Sequence, residues 1–182
     1  MKLSLISLAA LSVLSTSAFA ALQPPTTIEG GEIQFKGELV NAACAITTGT
    51  QNDPVILGQY RTASLATAGD KTSPVPFEIK LTDCDPTVQA TASVAFQGTP
   101  AISGSTLLQV IGDGNAPAAK NIGIQITDYT AKKLGISGST FSTPQTLING
   151  NNTLKFNAYY EATGESTPGQ ANSNATFYVK YE

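Results

Sequence analysis

Apolar and polar residues alternate with period two through most of the chain. The pattern is cleanest at the C-terminus. Ala175, Phe177, Val179 and Tyr181 fall on one face, and Thr176, Tyr178, Lys180 and Glu182 on the other. Such alternation marks a strand with one buried and one wet face. Chain ends fray unless a sheet holds them. This aromatic, β-branched ending must therefore lie against something apolar, either the domain's own core or another protein.

The same period recurs upstream. Val75, Phe77, Ile79 and Leu81 alternate with Pro76, Glu78, Lys80 and Thr82. Ala92, Val94 and Phe96 form a second run, Ile122, Ile124 and Ile126 a third, and Leu154, Phe156, Ala158 and Tyr160 a fourth. Leu107 to Ile111 reads as a further strand. A strand from Val40 to Ile46 and a short apolar run, Val55 to Gly58, precede them. Polar turn signals lie at 47–53, 112–115, 149–152 and 163–174. Residues 60–73 read as a loop with one helical turn near Ser64 to Ala68, and 134–142 as a loop anchored by Ile136 and Phe141. No sustained helical period appears. The chain reads as a single all-β sandwich.

One stretch does not belong to an ordinary sandwich. Ile33, Phe35 and Leu39 alternate with Glu32, Gln34, Lys36 and Glu38, with Gly31 and Gly37 in phase on the apolar side. A glycine within a strand marks close backbone approach or a bulge. Ile28 is out of phase with Ile33, so the phase changes, or the segment stops, near Gly30-Gly31. Pro24-Pro25, further upstream, suits extended chain and not a central strand.

The chain has 182 residues. Lys2, an apolar run from Leu3 to Leu14 and the small-x-small Ala18-Phe19-Ala20 read as a cleaved secretory leader, residues 1–20. The run is too short to span a bilayer, and no other run approaches the required length. Export makes Cys44 and Cys84 the natural partners of one disulfide. Ten basic residues stand against 13 acidic, a net −3. Without Lys2 the balance is nine to 13, or −4. No basic stripe suggests nucleic acid.

Catalytic chemistry finds little to work with. The chain has no histidine, which removes Ser-His-Asp and Cys-His sites. Asp83 and Asp85 flank Cys84, but a polar strand end explains them better than a glycosidase pair. Asp113-Gly114-Asn115 lacks the remaining ligands of a calcium loop. Asn151-Asn152-Thr153 and Asn174-Ala175-Thr176 match a glycosylation pattern short enough to arise by chance. No enzyme, cofactor or metal is expected.

Three sets of residues together resemble a known family. The first is Gly30-Gly31-Glu32-Ile33-Gln34-Phe35-Lys36-Gly37-Glu38-Leu39-Val40-Asn41-Ala42-Ala43-Cys44. The second comprises Leu57-Gly58-Gln59-Tyr60-Arg61-Thr62-Ala63-Ser64-Leu65 and Leu81-Thr82-Asp83-Cys84-Asp85. The third runs from Ala162-Thr163-Gly164 through Pro168-Gly169 to Phe177-Tyr178-Val179-Lys180-Tyr181-Glu182. This order is similar to that of chaperone–usher pilins, most of all to the major subunits of type 1 fimbriae. The resemblance implies an incomplete immunoglobulin-like β-sandwich lacking its final strand. A donor strand from a neighbouring subunit would complete it.

It also implies a division into a donor extension, 21–37, and a pilin domain, 38–182. Gly31, Ile33 and Phe35 would be the donor residues. Phe177, Val179 and Tyr181 would line the acceptor groove, and Gly169 with Tyr181 would carry chaperone recognition. The implied partners are identical subunits joined head to tail, a periplasmic chaperone, an outer-membrane usher, and tip or adapter subunits. The implied destination is the cell surface, reached through the periplasm. A minor or adapter subunit, or a carbohydrate-binding tip component, is the alternative.

Overall fold

A computed structural model describes residues 27–35, 37, 42–47 and 53–182. The expected leader, the start of the extension and Leu39 to Asn41 lie outside the described residues. The chain divides into two units, Met1–Glu38 and Leu39–Glu182.

In the first unit the described residues form no strand, although 32–35 alternate like one. Ile28, Ile33 and Phe35 are 82%, 77% and 90% exposed.

The second unit is a sandwich of two antiparallel sheets. Its strands are β1 (Ala45–Ile46), β2 (Val75–Cys84), β3 (Thr91–Gln97), β4 (Leu108–Gln109), β5 (Ile122–Asp128), β6 (Gln145–Thr146), β7 (Gly150–Ala162) and β8 (Thr176–Tyr181). One sheet runs β1-β2-β7-β5-β4 and the other β6-β3-β8. The alternation sets the register. Phe77 pairs with Phe156 and Ile79 with Leu154, so the apolar faces of β2 and β7 coincide. Phe77, Phe96 and Phe156 meet between the sheets with ring centroids 5.3 to 6.1 Å apart.

Several details depart from the sequence reading. β7 starts at Gly150, inside what reads as a turn, and runs 13 residues. The run at 55–58 joins no strand, and Gly58 has a left-handed φ of 87°. The helical turn is a 3-10 turn at Thr62–Leu65. β2 breaks register between Leu81 and Cys84, where Asp83 has a left-handed φ of 54°. The Cys44–Cys84 disulfide is present and buried.

β5 is buried on both faces, polar residues included. Gln125 makes this tolerable: its amide donates to the Ile126 and Leu134 carbonyls and accepts from Thr106. Asp128 at the strand's end is fully buried. Its Oδ1 accepts from Thr130 N, Thr130 Oγ1 and Lys132 N, and its Oδ2 from Thr143 N and Thr143 Oγ1. Burial works against the charge, but these donors outweigh it and hold the carboxyl down at about 2. The carboxylate thereby ties the turn after β5 to the segment leading into β6.

Candidate functional site

β8 is the edge strand of its sheet, and its hydrogen-bond parity shows which groups face outward. Thr91 N donates to the terminal carbonyl oxygen of Glu182 at 2.9 Å, and Glu182 N to Thr91 O at 3.0 Å. Such pairs recur at every second residue of an antiparallel ladder. Thr176, Tyr178 and Lys180 therefore direct their N–H and C=O groups toward β3. Phe177, Val179 and Tyr181 direct theirs away from it. The far side of β3 confirms the phase: Ser142 N and Gly138 N reach the carbonyls of Val94 and Phe96, which stand opposite Val179 and Phe177. Gln89 Nε2 approaches the outward Tyr181 carbonyl at 3.4 Å. Among the described residues no strand pairs along this edge.

An open groove lies beside that edge. Phe177, Val179 and Tyr181 are half-buried and pack on the core. The irregular segment from Pro54 to Gln59 also lines the groove. The floor is formed by Phe77, Ile79, Phe96, Ile124, Ile126 and Ala158, and the volume is about 1230 Å³. Close-packed interiors rarely hold voids much larger than a water molecule. A gap of this size, floored by core side chains, means that the sandwich is incomplete.

The groove is not uniform along its length. Phe177 and residues 171–175 line it, whereas Val179 and Tyr181 do not. The Tyr181 phenol donates to the Cys44 carbonyl at 3.3 Å. Burial pushes the Tyr181 phenol up, so it remains a donor.

Gly169 sits apart from the three strand residues. It lines a second cavity of about 680 Å³ that shares Gly58, Gln59, Tyr160, Ala171 and Asn172 with the groove. A Cβ at Gly169 would fall 2.4 Å from Ala119 N. Glycine therefore lets this loop lie against the backbone at Ala118 and Ala119, where Ala119 N donates to Gln170 O at 2.8 Å. Phe177, Val179 and Tyr181 thus share one face of β8, of which Phe177 alone lines the groove, and Gly169 lines the neighbouring cavity. Gly31, Ile33 and Phe35 belong to the other unit. The wall at 54–59 and the Phe77–Phe96 floor escape a sequence reading. Alternation marks inward residues but cannot show which of them remain uncovered.

The polar candidates resolve into turns. Asp85 accepts from Thr87 N and Oγ1, and Asp113 from Asn115 N and Ala116 N. Among the described residues no three His, Cys, Asp or Glu side chains gather as a metal site, and no helix is long and apolar enough to cross a membrane. The geometry suits one kind of ligand, an extended apolar strand that fills the floor and pairs with the β8 edge.

Comparison with known proteins agrees with this geometry. The family model described as fimbrial protein matches residues 33–182. The type-1 fimbrial protein A chain of Salmonella typhi is 48% identical over 181 residues, covering 100% of this chain and 98% of that one. The type-1 fimbrial protein A chain of Escherichia coli K12 is 48% identical over 182 residues, covering 100% of both. Among solved structures, a chain of a chaperone–usher pilus matches with a TM-score of 0.70 at 25% identity, covering 87% of this chain and 100% of that one.

Proposed function

Since the chain belongs to the fimbrial protein family, we propose that it is the repeating structural subunit of a surface pilus, polymerised by strand donation. The observation that carries this reading is a β8 edge unpaired among the described residues beside an open apolar groove, in a chain whose first unit presents Ile33 and Phe35 to solvent. Each subunit lends Gly31, Ile33 and Phe35 to the groove of its neighbour and receives a strand in its own. Donor and acceptor surfaces differ, so the contact is heterologous and propagates as an open filament. Burying each of the two large donor side chains contributes roughly 1.5–3 kcal/mol.

Before assembly the groove is an exposed apolar patch beside a free strand edge, which invites aggregation. A periplasmic chaperone that lends a strand, and an outer-membrane usher at which the next subunit displaces it, answer that hazard. The shaft role is favoured over a minor, adapter or carbohydrate-binding tip subunit because the likeness to the A chains runs the full length of both proteins.

The test uses the purified mature chain and a synthetic peptide of residues 21–39. The peptide should raise the melting temperature of monomeric subunit and block its polymerisation, while a peptide carrying Phe35→Asp should do neither. A subunit indifferent to both peptides would refute strand donation.

A further inference from the structure

The groove and the charges at its rim together define one register. We propose that Glu32 of an incoming subunit pairs directly with Lys180 of the subunit that receives it, and that this pair fixes the register of the donated strand. The proposal rests on the strand-donation reading above.

Direction comes first. Phe177 lines the groove, whereas Tyr181, whose phenol reaches Cys44 O, does not. Along the extension the order is Gly31, Ile33, Phe35, with small before large. Running antiparallel to β8, the extension lays Gly31 opposite Tyr181, Ile33 opposite Val179 and Phe35 opposite Phe177. The residue without a side chain stands beside Tyr181, which does not line the groove, and the phenyl ring stands beside Phe177, which does. A parallel strand reverses both matches.

The outward face then follows from the pleat. Residues directly opposite in an antiparallel pair share a face. Between Gly31 and Ile33 stands Glu32, opposite Lys180, and Gln34 stands opposite Tyr178. Lys180 is exposed, lies 2.9 Å from Glu182 and sits over the Phe141 ring. A glutamate arriving across the strand gives it a second carboxylate. Neighbouring registers lack this match. A slip of two residues one way sets Ile33 against Tyr181 and Glu32 against Glu182, a like-charge pair. A slip of two the other way turns Glu29 inward beside Tyr181. A slip of one reverses the buried face altogether.

Hydrogen-bond parity makes the pair measurable. Phe177, Val179 and Tyr181 direct their backbone groups at the donor, so Lys180 and Glu32 form a non-hydrogen-bonded pair. Such pairs bring Cα atoms to about 4.5 Å, within the range that a disulfide can bridge. In the full mature chain, Glu32→Cys with Lys180→Cys should give filaments that run as a covalent ladder on a non-reducing gel. Gln34→Cys with Lys180→Cys, which reports a slip of two residues, should not. Independently, Glu32→Lys and Lys180→Glu should each slow assembly by roughly twofold to fivefold, and the two together should restore the rate.

A ladder from the Gln34 pair, or no ladder from the Glu32 pair in filaments that still require Phe35, overturns the register. So does a double variant no faster than its slower parent. Filaments that form normally with Phe35→Asp would instead overturn strand donation itself, so the two failures are distinguishable.

Discussion

Replacing Phe35 by alanine separates what the extension does in a lone subunit from what it does in a filament. The side chain is 90% exposed before assembly. Surface substitutions of that kind change domain stability by no more than about 0.5 kcal/mol. The monomeric variant should therefore melt like the parent. On the proposed strand donation, the ring would enter beside Phe177, near Phe77, Phe96 and Phe156, whose centroids lie 5.3 to 6.1 Å apart. Truncating a buried phenylalanine to alanine costs about 3–5 kcal/mol, and the open mouth of the groove favours the low end. A loss of about 3 kcal/mol weakens each joint roughly a hundredfold. Filaments incubated in a guanidinium series and resolved by size exclusion should release Phe35→Ala subunits at a clearly lower denaturant concentration. The reasoning fails if monomer and filament are destabilised alike, or if the filament midpoint does not move.

Two further substitutions probe the domain itself. The Asp128 carboxyl is held down at about 2, so its contribution is complete above the unfolded value near 4 and disappears as pH falls toward 2. That contribution amounts to about 2 kcal/mol. Urea melts at pH 7 and at pH 2.5 should show it, and Asp128→Asn should lower neutral-pH stability and remove that share of the acid sensitivity. An Asp128→Asn variant as stable as the parent at pH 7 would mean that the five donors do not depend on the charge. Gly169→Ala places a methyl group 2.4 Å from Ala119 N. Because that neighbour is backbone, thermal melting should report a loss of about 1–3 kcal/mol; an unchanged melt would show that the loop yields freely.

The long strands were legible because their buried faces alternate strictly. Phe77, Ile79 and Leu81 announce β2, and Leu154, Phe156, Ala158 and Tyr160 announce β7. Misreadings arise where burial and polarity part company. Gly150, Asn151 and Asn152 read as a turn, yet they start β7, opposite the irregular Leu81–Cys84 end of β2. Gln125 and Thr127 alternate with the apolar face of β5, yet they are buried, and Gln125 donates to the Leu134 carbonyl. β4 and β6, two residues each, are too short to show a period. At the site, the inward phase of Phe177, Val179 and Tyr181 was readable from the last eight residues. The missing neighbour was not, because an uncovered core residue and a covered one look the same in sequence. The extension shows the converse: Gly31, Ile33 and Phe35 carry the periodicity of a paired strand, but among the described residues no strand pairs with their segment.

The Cys44–Cys84 link sits where it matters for a structure under tension. The chain leaves the extension and within a few residues reaches Cys44, which is bonded to the end of β2. A pull along a fibre would enter the domain at that point. Without the link, the load would fall on β1, whose ladder to β2 spans two residues, and the segment up to Cys84 could peel away. With it, force passes straight into β2 and its long pairing with β7. The joint at β8 would be loaded along the strand direction, so that its hydrogen bonds resist in parallel rather than one after another. A fibre without a covalent bond between its subunits would then fail by sliding at the joints and not by unravelling its domains.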